Sequence, residues 1–408
     1  MEKMEKIRLG SIIKTNQSNY STKEKWSFVN YLDTGNIIKN KIDTIQYIDL
    51  KENKLPSRAK RKVSYNNIIY STVRPNQLHY GIIKEHPKNF LVSTGFTVIE
   101  VDTKVAIPDY IYYVLSQDEI TEQLQAIGEQ GVSAYPSIKP SDIENLEILL
   151  PSIEIQEKIV SVLSSIDNKI SINDKINNNL CKKIKVLFKL WFIDFEPFGG
   201  IQPNDMKFIP LKELCKIITK GTTPTTLGKS FKSSGINFIK AESILDNYLI
   251  DDSKFAFIDY ETNEMLKRSI IEPNDILFTI AGSLGRFALV DNNILPANTN
   301  QAIAIIRADE KKVTPTYLYS FFISNWHNEY YSKRVQQAVQ ANLSLTTIKS
   351  LPIAILSNDK MQKYDSLISP LIALIKNNEI ENRNLNKLKD SILPKLMSGE
   401  IDISNINI

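Results

Sequence analysis

The sequence has little cysteine and little histidine. Its 408 residues include two cysteines, Cys181 and Cys215, and three histidines. Two cysteines cannot form a disulfide framework, and three histidines provide little material for a zinc site or a Ser-His-Asp triad. The sequence also lacks a His-Glu-x-x-His metalloprotease motif and the Asn-Pro-Pro-Tyr or Asp-Pro-Pro-Tyr signature of methyltransferases. These absences favour a protein without catalytic groups of its own.

Long apolar runs are missing as well. The strongest candidate, residues 188–195, is interrupted by Asp194 and followed by Glu196, and it falls short of the roughly 18 residues that cross a bilayer. The N-terminus begins Met-Glu-Lys-Met-Glu-Lys and carries no apolar signal segment. With 42% hydrophobic and 24% charged residues, the chain has the composition of a globular protein with two or three domains. We expect a cytoplasmic protein without a membrane span.

The charge is nearly balanced, since 50 Lys and Arg face 46 Asp and Glu, for a net charge of +4. A nucleic-acid site would therefore have to arise from local clustering. The tripeptide Gly228-Lys229-Ser230 resembles the end of a phosphate-binding P-loop, but that motif requires a glycine five positions before Gly228, where the chain has Thr223. We reject nucleotide binding there.

The sequence repeats itself. Residues 67–71 match residues 275–279, residues 91–99 match residues 296–304, and residues 143–153 match residues 348–358. The first match has an offset of 208 positions and the other two an offset of 205. This periodicity predicts two copies of one domain type.

A heptad-like pattern follows each copy. The first seam contains Ile159, Leu163, Ile166, Ile170, Asn173, Asn177, Leu180, Ile184, Leu187 and Trp191, and the second contains Ile368, Leu371, Ile375, Asn378, Asn382, Leu385, Leu388 and Ile392. Each pattern predicts a helix, the first of about 40 residues and about 60 Å. We expect the two helices to form an antiparallel coiled coil with pseudo-two-fold symmetry. The alternative is that each packs only on its own domain.

The four seam asparagines support a more specific hypothesis. Asn173 and Asn177 of the first helix correspond to Asn378 and Asn382 of the second. Buried polar residues in a seam fix register at a cost in stability. The alternative is that these side chains face solvent.

The predicted fold class is α+β, with two structurally repeated α/β domains separated by the long helices. We place the first domain at residues 1–150 and the first helix at 151–195. A linker and the second domain follow at 196–357, and the second helix and a C-terminal tail at 358–408. Short helical stretches are expected near residues 110–125 and 317–335.

Basic and hydroxyl-rich segments are the candidates for DNA contact. Residues 51–62 hold six basic side chains against one acidic, and a solvated basic loop is the alternative reading. We assign arginines to base edges, lysines to phosphates and small polar groups to either. The candidates are Arg58, Lys60, Arg61, Arg74, Ser93 and Thr94 in the first domain, and Lys220, Thr222, Thr223, Lys240, Arg286, Asn298, Thr299 and Asn300 in the second.

Several segments together resemble the specificity subunit of type I restriction-modification systems, over essentially the whole chain. They are Leu-Pro-Ser-Ile-Glu-Ile-Gln-Glu-Lys-Ile at 150–159, Leu-Trp-Phe-Ile-Asp-Phe-Glu-Pro-Phe at 190–198, Gly-Thr-Thr-Pro at 221–224 and Leu-Pro-Lys-Leu-Met-Ser-Gly-Glu-Ile at 393–401. One departure is that residues 356–362 replace the proline-glutamine pattern that opens the first helix. The start of the second helix is therefore undefined by the sequence.

The resemblance implies a non-catalytic subunit whose two target-recognition domains each read one half of a bipartite double-stranded DNA target. It also implies that the helices set the spacing and dock two methyltransferase subunits, and that restriction subunits join the complex. S-adenosylmethionine, ATP and Mg are then expected only on those partners, with no cofactor in this chain. A duplicated helical scaffold that recruits partners without reading DNA remains the alternative. An enzyme would have to rely on Lys229, Ser230 and scattered carboxylates.

Overall fold

The computed structural model describes residues 4–131, 135–326 and 343–403. The chain divides into two compact units, unit 1 made of Met1–Asn168 with Leu385–Ile408 and unit 2 made of Lys169–Asn384. Both boundaries fall within long helices, so each unit holds one globular domain and part of each helix. None of the helices in the described ranges has the length and apolar character that crossing a membrane requires.

Unit 1 contains two four-stranded sheets. Its strands are β1 (Glu5–Arg8), β2 (Ile13–Thr15), β3 (Phe28–Leu32), β4 (Ile37–Ile38), β5 (Lys41–Ile42), β6 (Gln46–Asp49), β7 (Ala59–Lys62), β8 (Ile68–Ser71), β9 (Tyr80–Ile82), β10 (Phe90–Ser93), β11 (Phe96–Val101) and β12 (Glu147–Leu150). Its helices are α1 (Pro108–Leu115), α2 (Asp118–Glu129), α3 (Pro140–Glu144) and the beginning of α4 (Ile153–Phe192). The sheet orders are β6-β3-β10-β7 and β2-β11-β8-β9, and β1 pairs with β12 and β4 with β5. Only β3 and β10 run parallel among these pairs.

Unit 2 repeats this arrangement. Its strands are β13 (Lys207–Pro210), β14 (Cys215–Lys220), β15 (Ile236–Ile239), β16 (Ala256–Ile258), β17 (Ile276–Thr279), β18 (Phe287–Leu289), β19 (Ala297–Thr299), β20 (Ile303–Ala308) and β21 (Pro352–Ile355). Its helices are α5 (Leu211–Leu214), α6 (Tyr260–Met265), α7 (Pro315–Ile323), α8 (Leu345–Lys349) and most of α9 (Asn358–Ser398). The sheet orders are β14-β20-β17-β18 and β16-β15-β19, and β13 pairs with β21. As in unit 1, one pair is parallel, here β15 with β19.

The repeat extends to individual hydrogen bonds. The Tyr110 hydroxyl on α1 donates to the Leu149 carbonyl on β12 at 2.7 Å, and the Tyr317 hydroxyl on α7 donates to the Ala354 carbonyl on β21. Both rings are buried, so each hydroxyl needs such a partner. The same bond therefore ties a helix to the same strand in both domains.

Strand register corrects one part of the sequence comparison. Ile99 on β11 lies opposite Ile68, and Ile306 on β20 lies opposite Ile276. Since Ile68 and Ile276 are equivalent, Ile99 corresponds to Ile306 and not to Ala304, as the alignment of residues 91–99 with 296–304 had it. The correction is two positions, and the loop before β20, residues 300–302, accounts for one of them because it is one residue longer than the loop before β11, residues 94–95.

Each unit has its own apolar core, which includes parts of the long helices. In unit 1, Ile159 and Leu163 of α4 share a cluster with Leu396 of α9 and the apolar face of α1. The core of unit 2 is rich in aromatic rings, and Phe192 of α4 lies 4.8 Å from Phe188 and 5.0 Å from Tyr364 between ring centroids. Burial of these rings stabilises both helices because it removes large apolar surfaces from water.

The two helices run antiparallel where they pair. In unit 2, Asn173 Nδ2 donates to Asn382 Oδ1 at 2.8 Å, and Asn378 Nδ2 donates to Asn177 Oδ1 at 2.7 Å. All four asparagines are buried, so the hypothesis of a polar register element is supported and the solvent-facing alternative is wrong. The antiparallel helix pair and the two repeated α+β domains confirm the predicted fold class.

The predicted seam fails at one position. Leu388 is 49% exposed, and in unit 1 the neighbouring Lys389 Nζ contacts Asp167 at 2.6 Å. The seam residues before Leu388 alternate spacings of three and four, so the position after Leu385 is Lys389, and Leu388 lies one residue off the repeat. The ion pair of Lys389 occupies the seam position, and the neighbouring leucine faces solvent.

The element ends add detail. Helix α9 begins at Asn358, the position equivalent to Ile153 at the start of α4, although the proline-glutamine pattern is absent. Of the helical stretch expected near residues 317–335, α7 covers the part up to Ile323 and residues 324–326 form a turn, while the part from residue 327 onward lies outside the described residues. The linear domain limits at 150, 195 and 357 stay a prediction, since the compact units divide within the helices.

Candidate DNA interface

In unit 1, the loop between β10 and β11 contacts the basic strand β7. The Thr94 N–H donates to the Arg58 carbonyl at 2.8 Å, and Arg61 Nη2 lies 3.5 Å from the Thr94 carbonyl. Strand β7 pairs with β10 antiparallel, with a register shift between Val92 and Ser93. Such an irregularity ends the pairing and redirects the chain. Arg58, Arg61 and Thr94 are thereby brought together.

Two cations at strand β7, Arg58 and Lys60, form no ion pair with the described residues. Arg58 and Lys60 are exposed, and neither has a carboxylate within 4.0 Å in the described part of the chain. Lys62, by contrast, forms an ion pair with Glu24 at 2.5 Å. Burial lowers the pKa of Arg61, and its Nε has no hydrogen-bond partner among the described residues. The strand therefore presents free positive charge beside the loop.

Arg74 lies in the loop that follows β8. Its backbone has a φ of +49°, and its N–H donates to the Pro136 carbonyl at 2.9 Å. Its guanidinium carbon lies 4.3 Å from the ring centroid of Tyr135, a cation–π distance. The loop starts beside the β10–β11 loop, because the Thr72 N–H donates to the Gly95 carbonyl at 2.7 Å.

In unit 2, the segment after β14 packs on the end of β19. The Thr222 N–H donates to the Thr299 carbonyl at 3.2 Å, and the Thr223 hydroxyl donates to the Gln301 side chain. A Cβ at Gly221 would lie 1.9 Å from the Thr299 oxygen, so only glycine fits. Asn300, partly exposed, accepts a hydrogen bond from the Ala302 N–H at 3.1 Å through Oδ1.

Arg268 joins this site, and the sequence reasoning missed it. Its Nη2 lies 3.3 Å from Thr222 Oγ1 and 3.4 Å from the Lys220 carbonyl. Arg268 and Lys220 are exposed, and within the described ranges no carboxylate lies within 4.0 Å of either. The sequence shows the basic dipeptide Lys267-Arg268, but it does not show which residues the fold places next to it.

The other two candidate cations of this domain, Lys240 and Arg286, have carboxylate partners. Lys240 Nζ lies 3.8 Å from Glu242 and 5.0 Å from the Phe231 ring. Arg286 donates through Nε and Nη2 to the two carboxylate oxygens of Asp246, each at 2.6 Å. Their charge is therefore less available than that of Lys220 and Arg268.

Three sequence candidates have buried side chains. Ser93, Asn298 and Thr299 have no exposed surface. Ser93 Oγ accepts from the Gly95 N–H at 3.3 Å, Asn298 Nδ2 donates to Asn263 Oδ1 at 2.9 Å, and Thr299 Oγ1 donates to the Ile239 carbonyl at 2.8 Å. Their polar atoms stabilise the strand ends, so direct contact with DNA would require the strands to open. We therefore correct their assignment to a structural role.

The two domains share one geometry. In each, an arginine contacts the end of the parallel strand or the segment packed on it: Arg61 lies beside the Thr94 carbonyl after β10, and Arg268 lies beside Thr222, whose N–H donates to Thr299 at the end of β19. In unit 2 the Ile280 N–H donates to the Ala302 carbonyl at 2.8 Å, as Thr72 donates to Gly95 in unit 1. The loops that carry Arg74 and Arg286 thus begin at equivalent positions. The described residues contain no cluster of three or more His, Cys, Asp or Glu side chains placed to hold a metal ion.

The chain is similar to known specificity subunits. Residues 1–182 and 203–390 match the family model of the type I restriction modification DNA specificity domain. The type I restriction enzyme HindI specificity subunit of Haemophilus influenzae is 24% identical over 91% of this chain and 94% of that protein. The MjaIX specificity subunit of Methanocaldococcus jannaschii is 27% identical over 88% of this chain and 84% of its own length.

A solved structure shares the fold. The crystal structure of a type I restriction-modification system S subunit from M. genitalium superposes with a TM-score of 0.53 at 16% identity, covering 97% of this chain and 96% of that chain. The family model matches both halves of the chain, in agreement with the duplicated domains and the long helices of the structure. This chain belongs to the family of DNA specificity subunits of type I restriction-modification systems.

Proposed function

We propose that this chain is a non-catalytic subunit that reads a bipartite double-stranded DNA target, with one half-site contacted by each domain. The observation that carries the proposal is the shared geometry of the two domains. Both place an arginine at the end of the parallel strand, Arg61 beside Thr94 and Arg268 beside Thr222, with the exposed cations Arg58, Lys60 and Lys220 on the adjoining chain segments. A duplicated site suits a target in two parts.

The contact residues divide by chemistry. Arginines offer a planar pair of donors that fits the O6 and N7 acceptors of guanine, whereas lysines suit phosphates. The proposed set is Arg58, Lys60, Arg61, Arg74 and Thr94 in the first domain, and Lys220, Thr222, Thr223, Lys240, Arg268, Arg286 and Asn300 in the second. Backbone N–H groups and hydroxyls near these loops can hold the phosphates in register.

The long helices set the spacing between the half-sites in this proposal. A helix of 40 residues spans about 60 Å at about 1.5 Å per residue, and half-sites one turn of DNA apart are separated by about 34–36 Å. The same helices dock two methyltransferase subunits, and restriction subunits complete the assembly. S-adenosylmethionine, ATP and Mg then belong to those partners and not to this chain.

Genome-wide methylation mapping tests the proposal. The chain is expressed with the adenine methyltransferase encoded beside its gene, in a host without other DNA methylation, and methylated adenines are mapped. We expect a split motif with a fixed gap that disappears when this chain is omitted. A stable complex that binds S-adenosylmethionine but adds no methyl groups would instead favour a scaffold that does not read DNA.

A binding titration also distinguishes a subunit that reads DNA from a scaffold that does not. The chain should bind duplex DNA with an affinity that falls steeply as salt rises, because cations that neutralise phosphates release counterions. A scaffold that does not read DNA would show no such salt-dependent binding. The charge-removing variant Arg268→Ala should reduce the salt dependence, since its guanidinium has no carboxylate partner among the described residues.

A further inference from the structure

The strongest unexplained feature of the proposed interface is the carboxylate that holds Arg286. Nε and Nη2 of Arg286 each lie 2.6 Å from an oxygen of Asp246, and Nη1 lies 3.4 Å from the Ile244 carbonyl. The carboxylate thus occupies both arms of the guanidinium fork. This is the arrangement in which an arginine binds the edge of guanine or two oxygens of a phosphate.

The fold fixes the arginine firmly. The Arg286 N–H donates to Thr279 Oγ1 at 2.9 Å, and the Arg286 carbonyl accepts from the Thr279 N–H at 2.8 Å. The Gly285 N–H donates to the Thr279 carbonyl at 3.0 Å, and Gly285 has a φ of +83°. The hairpin between β17 and β18 therefore presents Arg286 from a defined backbone position.

Asp246 lies at the tip of a separate turn. The Leu245 N–H donates to the Leu249 carbonyl at 2.9 Å, and Tyr248 closes the turn with a φ of +70°. The Asp246 side chain is 77% exposed. A carboxylate on an exposed turn can leave the arginine without disturbing a core.

A second arginine–aspartate pair of this domain, Arg307 with Asp275, provides a comparison because it is a buried structural pair. Arg307 forms the same forked contact with Asp275, but that carboxylate is completely buried. An exposed pair is screened by water and contributes little to stability. The Arg286–Asp246 contact is therefore poorly explained by folding. In unit 1, Arg74 lies in the corresponding loop and stacks on Tyr135.

We propose that Asp246 is a positioning residue that gates Arg286, holding its fork in the free protein and releasing it to a planar pair of acceptors in the second half-site. The inference rests on the proposed function. In the free protein the carboxylate aligns the fork and cancels its charge, so random DNA gains little from it. Cognate DNA, which offers acceptors at the right place, displaces the carboxylate. Asp246 thereby increases discrimination at the second half-site.

The test compares Asp246→Asn and Asp246→Ala with the unmodified chain, using a random-sequence duplex and a duplex that carries the mapped motif. We expect both variants to bind the random duplex about 3- to 10-fold more tightly at low salt, because one repulsive charge is gone and one cation is free. The ratio of cognate to random affinity should fall. Discrimination at the first half-site should not change.

A matched control removes the same charge elsewhere. Glu261 pairs with Lys229 at 2.9 Å and is similarly exposed, and Lys229 is outside the proposed contact set. Glu261→Gln should leave both affinities unchanged. If it tightens random binding as much as Asp246→Asn does, a general charge effect explains the result and the inference is overturned. Identical binding by Asp246→Asn and the unmodified chain also overturns it.

Two further experiments test whether the effect depends on Arg286 and which DNA group Arg286 contacts. In an Arg286→Ala background, Asp246→Asn should have no additional effect. Replacing guanines of the second half-site by 7-deazaguanine removes N7, so a loss of the cognate preference points to a base edge and no loss points to phosphate. If the unmodified chain fails to bind any DNA, the proposed function fails. If the unmodified chain binds DNA and the Asp246 variants bind with the same affinities, only the proposed role of Asp246 is contradicted.

Discussion

Arg74 occupies a left-handed backbone conformation in the loop after β8 and holds its guanidinium over Tyr135 at 4.3 Å. Arg74→Ala should weaken recognition of one half-site only. Loss of a specific base contact reduces affinity by about 1–3 kcal/mol. The measurement is binding of duplexes in which either half of the mapped motif is scrambled.

The control for Arg74 is Lys104→Ala. Lys104 is an exposed lysine of the same unit outside the proposed contact set, so its removal changes the charge equally without removing a base reader. An equal loss of affinity at both halves, or no loss, would contradict the role of Arg74.

Glu379 on α9 has the most informative pKa. Burial raises the pKa of its carboxyl to about 8, although Arg383 and Lys376 lower it, and Asp291 raises it further. The folded chain therefore keeps this proton up to about pH 8, whereas an unfolded chain releases it near pH 4.5. Ionisation opposes folding, so this group makes the free energy of unfolding fall as the pH rises from about 4.5 to 8.

Glu379→Gln should remove that pH dependence. We expect equal stability of variant and unmodified chain at pH 5, and a variant more stable by about 1–3 kcal/mol at pH 9, because no charge is then buried. Urea unfolding at pH 5, 7 and 9 measures the difference. Glu381→Gln is the control with the opposite sign. Its carboxyl has a lowered pKa through hydrogen bonds to Asn173 and Lys169, so its removal should destabilise the chain above pH 4.5.

Single residues show where sequence reasoning reached its limit. The basic run at 51–62 was detectable because its charges are contiguous, and Arg58 and Lys60 are indeed exposed. Asn298 was misassigned because a buried, hydrogen-bonded amide and an exposed one look alike in a sequence. Arg268 was missed because it meets Thr222 only through the fold.

At the scale of elements, the asparagine pairs of the long helices lead to a prediction. Asn173→Leu alone should destabilise the chain by about 1–3 kcal/mol, because the buried Asn382 Oδ1 and the Glu381 carboxylate then lose the amide that donates to them, while Asn382 Nδ2 keeps its bond to Asp174. Replacing Asn173, Asn177, Asn378 and Asn382 together by Leu should raise stability and loosen the register. Urea unfolding and a double-mutant cycle for Asn173 and Asn382 measure the coupling.

The spacing between half-sites provides the second readout for the quadruple variant. Methylation mapping should find sites with more than one gap length. Unchanged stability together with a single unchanged gap would show that these four side chains do not set the register.

The end of β14 gives another element-level prediction. Gly221→Ala places a Cβ 1.9 Å from the Thr299 oxygen, and the resulting backbone shift should destabilise the chain by about 1–3 kcal/mol. It should also weaken the second half-site, because Thr222 moves with it. Gly35→Ala is the control, since nothing lies within 4 Å of its Cβ. Urea unfolding and half-site binding test both variants, and a neutral Gly221→Ala would contradict the close approach seen here.

Helices were easier to predict than the loops between strands. The apolar seam correctly identified Ile159, Leu163 and Ile184 as core residues, because helical periodicity records burial directly. It failed at Leu388, an apolar residue that lies one position before the seam position held by Lys389. The strand pairings and the loop insertion before β20 depend on contacts between distant segments, which the local pattern does not contain.

For the whole molecule, duplication was the most predictive signal in the sequence. Matches at residues 67–71 and 275–279 became strands β8 and β17, with equivalent pairing partners. The same tyrosine hydrogen bond recurs in both domains. The recognition loops differ in length and charge between the copies, which is what two different half-sites would require, and therefore the repeat alone could not identify contact residues.

The helix pair offers a whole-molecule prediction, which rests on its proposed role in spacing. Seven residues are inserted in each helix, between Asn173 and Asn177 in α4 and between Asn378 and Asn382 in α9. Both asparagine pairs and the heptad pattern are then preserved. Each helix lengthens by about 10 Å at about 1.5 Å per residue, against about 3.4 Å per base pair of DNA. Methylation mapping should return the same two half-sites with a gap longer by at most about three base pairs.

An insertion in α4 alone is the matched comparison. It shifts one helix against the other, so Asn173 and Asn177 can no longer both meet their partners. That variant should unfold at a lower temperature and lose fixed-gap methylation, while the double insertion keeps both. If the double insertion is stable, methylates DNA and uses the original gap, the spacing must be set by the domains and not by the length of the helices. A lengthened gap with unchanged halves would assign the distance to the helices and the sequence preference to the recognition loops.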